Sequence, residues 1–393
     1  GGVISQVGKR GTNEWHFGGQ IQWTPTDLQS DPKNWYYVNK DGSQGKIRQN
    51  RKNNKSWTTT VDAYVGGPLI KDKLFLFAAV EAERRQGEST GSDVAPFVNH
   101  YRYDNPKWYG KLDWNITDSN ILELTGASNK SSYQGVFNDY DYATSTEGGF
   151  NSNDTHTKNG ADVYSAKFTS YITDDLTVSA LYGKMKGTWY SSVADYDPTY
   201  PYLFGVADQN PLYGPISNSQ TVSTINLPGH ASTNTNLRID LSYKLGDHTL
   251  TAGIDNQDQK NIQGGTKFPD GGLGYAWEYN PSDDPTAYIT GGPGTAQPGA
   301  DWQNSPWVDA PANYAGGEDG YYVAQYKYHD NASVRVAQRA QYIEDSWQIN
   351  DRWLVKLGRR NDHFTNYNAV GDHYLLLTSP QRSPRVGFSW DVN

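Results

Sequence analysis

Short and long connections alternate along this chain, and that alternation constrains the fold more than any other feature. Segments of alternating apolar and polar residues are joined first by a turn of a few polar residues and then by a long polar stretch. The long stretches are 24–55, 86–104, 133–159, 191–232, 263–332 and 368–381. Loops above about 15 residues are uncommon in compact soluble domains. Outer-membrane β-barrels combine short periplasmic turns with long extracellular loops, so the pattern favours a barrel.

The segments between these connections have the two-residue period of strands with one apolar and one polar face. Leu176, Val178 and Ala180, for example, alternate with Thr177 and Ser179. We predict twelve strands, near 12–23, 56–66, 73–85, 105–115, 120–132, 160–172, 175–190, 233–244, 248–262, 333–349, 352–367 and 382–393. The predicted fold class is all-β, an antiparallel transmembrane β-barrel that is partial, its twelve strands belonging to a larger barrel.

The composition agrees with a large barrel that has a wet interior. Only 35% of the residues are hydrophobic, whereas a globular domain has about 45–50%. Disorder is disfavoured because the chain has 29 Tyr, 13 Trp and 11 Phe, and disordered segments are poor in aromatic residues. A secreted β-sandwich, propeller or β-helix is the alternative that composition leaves open. The sequence contains no run of about 18 apolar residues, so it predicts no transmembrane helix.

Charge and cysteine content exclude several classes of partner and site. The net charge of −9 disfavours nucleic acid as a partner. The absence of cysteine excludes disulfides, a cysteine-ligated zinc and a cysteine nucleophile. We find no Gly-x-Ser-x-Gly, His-Glu-x-x-His or Walker-type motif, and the eight histidines show no metal-binding spacing. We therefore expect no enzymatic activity, no catalytic residues, no cofactor and no bound metal.

Four motifs, in order along the chain, resemble those of TonB-dependent outer-membrane receptors. Residues 1–16 resemble the junction between the plug domain and the first barrel strand, with departures at Ser5, Gly8 and Arg10. Residues 66–77 resemble a hairpin of the Oar-like, OmpA-related subgroup. Residues 341–360 are similar to the family's mid-barrel hairpin, and residues 383–391 to the strand that follows it. The four segments read GGVISQVGKRGTNEWH, GGPLIKDKLFLF, QYIEDSWQINDRWLVKLGRR and SPRVGFSWD.

The resemblance implies a plugged barrel of about 22 strands in the bacterial outer membrane. Residues 1–11 would be the end of the plug domain, and 12–393 the N-terminal part of the barrel. The chain would then be a fragment that lacks most of the plug, the TonB-contacting segment and the closing strands. The implied function is TonB-dependent uptake of a bulky substrate, with a peptide- or glycan-related one favoured. The implied partners are the TonB–ExbB–ExbD complex, outer-membrane lipid, lipopolysaccharide and an unknown extracellular substrate.

Several side-chain groups invite a functional interpretation, although solvated loops explain most of them. Asp139 and Asp141 offer oxygen ligands for a divalent cation. A basic run in the first long stretch suits lipopolysaccharide or an anionic ligand; it contains Lys46, Arg48, Arg51, Lys52 and Lys55. Aromatic groups that suit sugars or apolar ligands are Trp35-Tyr36-Tyr37, Tyr200 with Tyr202, Trp277 with Tyr279, and Tyr321-Tyr322. The substrate-binding residues are not identified by these patterns.

The strand phase predicts that nine charged residues point into the lumen, because a charge that faces lipid is costly. They are Lys111, Asp113, Lys167, Arg238, Asp240, Lys244, Lys356, Arg360 and Arg385. The carboxylate pairs Asp139/Asp141, Asp174/Asp175, Asp283/Asp284 and Glu344/Asp345 are interpreted as solvated rather than catalytic. Two other functions stay open: a passive porin or adhesion barrel without a plug, and a secreted carbohydrate-active β-protein.

Overall fold

A computed structural model of the 393-residue chain is built almost entirely of β-strands. The structure describes residues 8–150, 155–193, 199–204, 218, 220, 225–226, 230–264, 266–279, 321–327, 332–368, 371–376 and 381–392. No helix within these residues has the length and apolar character needed to span a membrane.

Twenty-two strands are assigned, numbered along the chain. They are β1 His16–Thr24, β2 Trp35–Val38, β3 Gln44–Gln49, β4 Ser56–Ile70, β5 Leu74–Thr90, β6 Phe97–Thr117, β7 Asn120–Ser128, β8 Ser131–Asp141, β9 Thr146–Phe150, β10 Thr155–Tyr171, β11 Leu176–Val193, β12 Tyr202–Phe204, β13 Ile225–Asn226, β14 Ala231–Leu245, β15 His248–Gly264, β16 Thr266–Lys267, β17 Leu273–Tyr279, β18 Tyr321–Lys327, β19 Ala332–Asn350, β20 Trp353–Tyr367, β21 His373–Leu376 and β22 Gln381–Trp390. One turn of 3-10 helix covers Thr26–Leu28, and a single α-helical turn covers Pro269–Gly272.

Fifteen of the strands form one sheet, which runs in chain order with antiparallel neighbours. The order is β1-β4-β5-β6-β7-β10-β11-β14-β15-β19-β20-β21; in addition β22 pairs with β20, β8 with β6, β9 and β10. Each of the twelve predicted strands corresponds to a strand of this sheet, so the predicted fold class is confirmed. Among the described residues, β1 pairs only with β4 and β22 only with β20, which leaves an edge at each end.

The two faces of the sheet differ in polarity. On β11, the residues of one parity, Leu176, Val178 and Ala180, lie opposite Tyr243, Leu241 and Ile239 of β14. We call this the apolar face. Its exposed large side chains include Phe17, Ile21, Trp23, Val61, Val65, Val80, Trp108, Trp114, Leu124, Phe168, Tyr182, Leu237, Ile239, Leu241, Tyr243, Ile343, Trp347, Leu357, Val386, Phe388 and Trp390. Residues of the other parity are mainly small or charged, and we call their side the polar face.

This sheet has no large apolar interior in its described part. The buried apolar residues there are Phe77, Val98, Tyr140, Ala231, Ala337 and Ala340. Burial of apolar surface is the main driving force for folding in water, and here most large apolar side chains are exposed instead. The arrangement is stable only if something apolar covers that face.

Five short connections lie at one end of the sheet, as the predicted alternation of short and long connections requires. They connect β4 to β5, β6 to β7, β10 to β11, β14 to β15 and β19 to β20. Two of them require a left-handed backbone, at Asp72 (φ 62°) and Gly246 (φ 58°). Asp, Asn and Gly tolerate this conformation best, which explains the polar composition of these turns.

The long connections contain more regular structure than the sequence predicted. The first contains the hairpin of β2 and β3, which pair antiparallel. β5 and β6 extend past their predicted ends, to Thr90 and back from Phe97. β8 and β9 occupy much of the predicted stretch 133–159. The prediction of structureless loops at these places is wrong, because hydrophobicity and turn residues do not show whether polar strands pair with each other.

Candidate functional site on the polar face

The nine charged residues predicted for the lumen all lie on the polar face. The register proves the shared face, since directly paired residues project to the same side. Lys167 is opposite Leu181, Leu181 is opposite Arg238, and Arg238 is opposite Asp255. The same ladder places Lys244 with Lys356, and Arg385 opposite Gly358. The predicted common face of the nine residues is thus confirmed, and their position in a lumen stays a prediction.

One group of ion pairs links β6, β7 and β10 across this face. The Lys111 ammonium lies 2.8 Å from Glu123 and 3.0 Å from Asp113. Lys167 reaches the other oxygen of Glu123 at 3.4 Å. The Lys111 side chain is only 11% exposed and that of Asp113 4%. Two cations and two carboxylates therefore neutralise each other. Glu123 was not among the nine residues predicted for the lumen, although its alternation with Leu122 and Leu124 places it on this face.

A second group links β14, β15, β19 and β20. The Arg360 guanidinium lies 3.0 Å from Asp255 and 3.1 Å from Asp362. Arg238 bonds Asp240 at 2.9 Å and donates to the Tyr342 hydroxyl at 3.1 Å. Arginine suits such shared contacts because its planar guanidinium offers five donors. The two sets of contacts are neighbours in the sheet, because the register places Arg238 opposite Asp255 and Tyr342 opposite Arg360. Asp255, Asp362 and Tyr342 were not among the residues predicted for the lumen.

The segment before β1 lies against the polar face of β4 to β6. The Tyr109 hydroxyl donates to the Lys9 carbonyl at 3.1 Å, and the Lys9 ammonium lies 5.9 Å from the centre of the Tyr64 ring. Phe77 is buried between the rings of Tyr64 and Tyr109, at 6.0 Å from each. Gly8 lies against the Tyr109 ring, and Gly11 lies against the backbone of Leu76. A Cβ added at Gly11 would lie 2.3 Å from the Leu76 carbonyl oxygen. The path of this segment depends on these two glycines.

A cavity of about 610 Å³ opens beside this segment. Its volume is in the range of ligand pockets, about 300–1,000 Å³. It combines aromatic rings with charge, since Lys107 pairs with Glu81 at 2.6 Å at its wall. Its polar-face lining includes Gly8, Lys9, Gln20, Asp62, Tyr64, Phe77, Glu81, Lys107 and Tyr109.

The first two long connections fold together at the end opposite the short turns. The Tyr37 hydroxyl donates to Asp93 at 2.9 Å, and Lys46 pairs with the other oxygen of Asp93 at 2.8 Å. The Lys46 ammonium also lies 5.2 Å from the centre of the Tyr37 ring. Backbone bonds reinforce the contact, with the amide of Asp93 donating to the Arg48 carbonyl at 2.8 Å. We call Tyr37, Lys46 and Asp93 the loop clamp.

The hydrogen bond between Lys46 and Asp93 in the loop clamp stabilises the charged form of both side chains. The Lys46 ammonium lowers the pKa of the Asp93 carboxyl, and Asp93 in turn raises the pKa of Lys46. The same carboxylate raises the pKa of the Tyr37 hydroxyl, because it accepts the Tyr37 proton in a hydrogen bond. The clamp is therefore ionised as a pair throughout the neutral range.

The basic run of the first long connection is largely engaged within the protein. Lys46 belongs to the loop clamp, Lys55 lies 3.6 Å from Asp31, and the Arg51 guanidinium stacks 4.5 Å above the Trp35 ring. No ion pair involving Arg48 or Lys52 occurs among the described residues. Three of the five cations thus have a partner within the protein, although Lys46, Arg48, Lys52 and Lys55 are all exposed to solvent.

The other candidate groups divide into local structure and undescribed residues. Asp141 accepts hydrogen bonds from the Ala143 amide and the Thr144 hydroxyl, both at 2.7 Å, so its carboxylate closes a turn. Within the described residues, no three His, Asp or Glu side chains are placed to hold a metal ion. Asp283 and Asp284 lie outside the described residues. β17 and β18, which contain Trp277, Tyr279, Tyr321 and Tyr322, pair antiparallel.

The carboxylates of Glu344 and Asp345 project to opposite faces, since they are neighbours on β19. Glu344 lies on the polar face opposite Gly358. Asp345 lies on the apolar face, where its carboxylate meets His248 at 2.8 Å and His248 stacks on Trp347. Two carboxylates on opposite faces cannot act on one substrate, so this pair has no catalytic geometry. Asp174 and Asp175 lie in the short connection between β10 and β11.

Solved structures similar to this chain are transporters and receptors of bacterial outer membranes. The outer-membrane transporter YddB from Escherichia coli matches with a TM-score of 0.50 at 13% identity, over 98% of this chain and 42% of that one. The fold is that of an outer-membrane β-barrel transporter. The ferric enterobactin receptor PfeA from Pseudomonas aeruginosa gives 0.48 at 14% identity, over 98% and 43%. The siderophore receptor PirA from Acinetobacter baumannii gives 0.46 at 16% identity, over 98% and 42%.

At these identities the likeness to outer-membrane transporters concerns the fold alone. The chain spans about 42% of the length of the Escherichia coli transporter. Neither a protein-family model nor a curated protein sequence matches the chain.

Proposed function

We propose that this chain forms part of a plugged β-barrel in the bacterial outer membrane and serves the energy-coupled uptake of a bulky extracellular solute. The observation that carries the proposal is the polarity of the sheet. One face exposes apolar side chains such as Phe168, Leu237 and Leu241, and the other buries ion pairs such as Lys111 with Asp113. Transmembrane barrels alternate apolar residues toward lipid with polar residues toward the lumen.

The polar face would line the lumen, and the segment before β1 would connect it to a plug. We assign residues 1–11 to the end of the plug and 12–393 to the N-terminal part of the barrel. The contact of Lys9 with Tyr64 and Tyr109 supports this division, because it places the segment against the polar side of the sheet. The free edges of β1 and β22 would pair with further strands, since barrels close to remove edges.

The proposed energy source is the TonB–ExbB–ExbD complex, acting through a plug. Support comes from the junction-like motif at 1–16 and from the transporter fold. The hairpin motif at 66–77 favours the Oar-like, OmpA-related subgroup. We propose a peptide- or glycan-related solute, because the 610 Å³ cavity presents Tyr64 and Tyr109 beside the Lys107–Glu81 pair. Aromatic rings with polar neighbours suit sugars and peptides.

A passive porin is the second candidate, because the same polar face could line an open pore. The two candidates differ in their need for energy. A porin passes solutes down a gradient, whereas a TonB-driven transporter stops when the proton-motive force is removed. The position of Lys9 against the lumen-facing side favours the plugged form.

Cell fractionation and uptake measurements test this proposal. The full-length protein, expressed in cells that lack it, should be found in the outer-membrane fraction. Uptake of two fluorescent probe mixtures, casein peptides and dextran oligosaccharides, should rise with expression for at least one mixture and should fall to background when a protonophore is added. Uptake that continues with the protonophore would identify a porin. A protein found in the soluble fraction would contradict a membrane location altogether.

A further inference from the structure

Strand β6 presents a continuous row of aromatic and polar side chains on the polar face of the sheet. The row takes every second residue of the strand, namely Tyr101, Tyr103, Asn105, Lys107 and Tyr109. The register with β5 runs without a break across these positions, and alternate residues of a strand project to the same side. We call these five residues the β6 track.

The β6 track leads from the long connections to the cavity of about 610 Å³ beside the segment before β1. Lys107 and Tyr109 line that cavity, whereas Tyr101 lies at the end of the track nearest the long connections. Tyr101 and Tyr109 are eight positions apart, which corresponds to about 27 Å at the rise of an antiparallel strand. The track therefore has room for several units of a linear molecule.

Tyrosine rings form the end of the track nearest the long connections. The ring centres of Tyr101 and Tyr103 are 5.7 Å apart, and Tyr133 of β8 lies 4.8 Å from Tyr103. The Asn99 amide donates to the Tyr133 hydroxyl at 2.9 Å and so fixes that ring. Tyr103 is nevertheless 37% exposed. Part of its ring is therefore open to a ligand, and aromatic rings of this kind pack against the C–H face of a sugar.

The charges beside the β6 track balance one another. Lys107 donates to Glu81 at 2.6 Å, and the Asn105 amide donates to Glu83 at 2.8 Å. Arg85 follows on the same face of β5, so two cations match two carboxylates. A charged solute gains little attraction from a surface without net charge. Hydroxyl groups both donate and accept hydrogen bonds, and they suit a surface that offers donors and acceptors side by side.

An extended peptide fits this surface less well than a sugar chain does. Peptides that bind along a sheet pair their backbone with a free strand edge. β6 offers no such edge over the length of the track, because β5 pairs with one side of it and β7 and β8 pair with the other. The side chains of the track are thus the groups that remain for binding, and they are aromatic rings and paired polar groups.

We propose that the β6 track binds a linear, uncharged oligosaccharide along its length. Its sugar rings stack on Tyr101, Tyr103 and Tyr109, and its hydroxyl groups bond to Asn105 and Lys107. The 610 Å³ cavity is the inner end of this path. The inference rests on the proposed function, because it requires the polar face to line a lumen, and it narrows the solute from a peptide or a glycan to a neutral glycan.

Equilibrium binding to the full-length protein in detergent micelles tests this inference. The probes are short oligosaccharides from dextran, cellulose and xylan, the acidic oligogalacturonate, and casein peptides of matched length. At least one neutral oligosaccharide should bind more tightly than oligogalacturonate and the peptides do. It should also bind more tightly than its own monosaccharide, because a longer chain contacts more of the track.

Substitutions on the track locate the binding. Tyr103→Ala should weaken binding of that oligosaccharide roughly ten-fold through loss of the ring, whereas Tyr103→Phe keeps the ring and should bind like the parent. Asn105→Leu, of similar size, should cost roughly five-fold through loss of a hydrogen bond, and it tests the track independently if Tyr103→Ala misfolds. The matched control Tyr342→Ala removes a polar-face ring from β19 and should bind like the parent.

Several outcomes would overturn the β6 track. One is tighter binding of the peptides or oligogalacturonate than of every neutral oligosaccharide, and another is binding of none of the probes. Equal losses in Tyr103→Ala and Tyr342→Ala would also contradict it, because the site would then not be specific to β6.

The result is separable from the fate of the proposed function. A protein in the outer membrane whose protonophore-sensitive uptake is confined to casein peptides contradicts the β6 track and leaves the proposed function standing. A protein that is absent from the outer membrane contradicts the proposed function first.

Discussion

The two faces of the sheet use charge in opposite ways, although they alternate residue by residue along the same strands. On the polar face, Lys111 is nearly buried between two carboxylates. On the apolar face, β14 exposes Leu237, Leu241 and Tyr243. In water, exposure of these apolar side chains would destabilise the sheet. In a membrane, an unpaired charge on this face would destabilise it instead. The two faces therefore suit different surroundings, a polar one beside the paired charges and an apolar one beside the exposed apolar side chains.

Removing the central cation of the polar face should give the largest effect. The variant Lys111→Met leaves Asp113 and Glu123 without their main partner, and loss of one member of a buried ion pair costs about 3–5 kcal/mol. Unfolding of the full-length protein by urea in lipid vesicles measures the change. The control Lys244→Met removes a cation from the same face, at a position with no ion pair among the described residues, and should change the free energy of unfolding by less than about 1 kcal/mol.

A combined variant sharpens that result. Lys111→Met together with Asp113→Leu and Glu123→Leu removes the charges as a group, and such replacements are often neutral for stability. It should therefore unfold closer to the parent than Lys111→Met does. If Lys111→Met itself unfolds like the parent, the ion-pair group does not contribute as the geometry indicates.

Adjacent residues on one strand test the apolar face directly. Leu241→Arg places a charge toward lipid, and Ser242→Arg places the same charge on the polar face, one residue away. An arginine facing the bilayer midplane costs about 2–4 kcal/mol, and less toward the interfaces. We expect Leu241→Arg to lower the free energy of unfolding in vesicles by that amount and Ser242→Arg to change it little. Equal effects at both positions would mean that the assignment of faces is wrong.

The short turns offer a smaller effect with a matched control. Gly246 has a φ of 58° with nothing near its missing Cβ, so Gly246→Ala costs only the strain of a left-handed backbone, about 1–2 kcal/mol. Gly387 on β22 also has open space around its missing Cβ, but an ordinary φ. Gly387→Ala should therefore be within about 0.5 kcal/mol of the parent. The same urea unfolding curves measure both variants, and a cost at Gly387 as large as at Gly246 would contradict the role of backbone strain.

The sequence predicted the sheet well because period-2 alternation and turn residues are local signals. All twelve strands of the predicted set and the face of Lys111, Arg238 and Arg360 follow from such signals. Partners across strands do not, because Asp255 meets Arg360 only through pairings between residues about one hundred positions apart. The hairpin of β2 and β3 was missed for a related reason. Strand β2 reads WYYV, with an aromatic or apolar residue at every position, and β3 reads QGKIRQ, so neither strand shows a clear alternation of apolar and polar residues.

The loop clamp should give the smallest effect and the one most dependent on pH. The pKa of Asp93 is lowered by Lys46 in the folded loop, so its contribution is present above the unfolded value of about 3.9. It is lost as the pH falls through the lowered pKa. The pKa of Lys46 is raised by Asp93, so its contribution is fully present below the unfolded value of about 10.4 and is lost as the pH rises through the raised pKa. The clamp should therefore hold between roughly pH 4 and pH 10, which hydrogen exchange of residues 44–49 measures.

Asp93→Asn should speed exchange there at pH 7 while leaving the sheet unchanged. Asp31→Asn, beside the more exposed pair with Lys55, should have less effect. Equal exchange in the parent and Asp93→Asn would show that backbone bonds such as that from Asp93 to the Arg48 carbonyl are sufficient to hold the first loop.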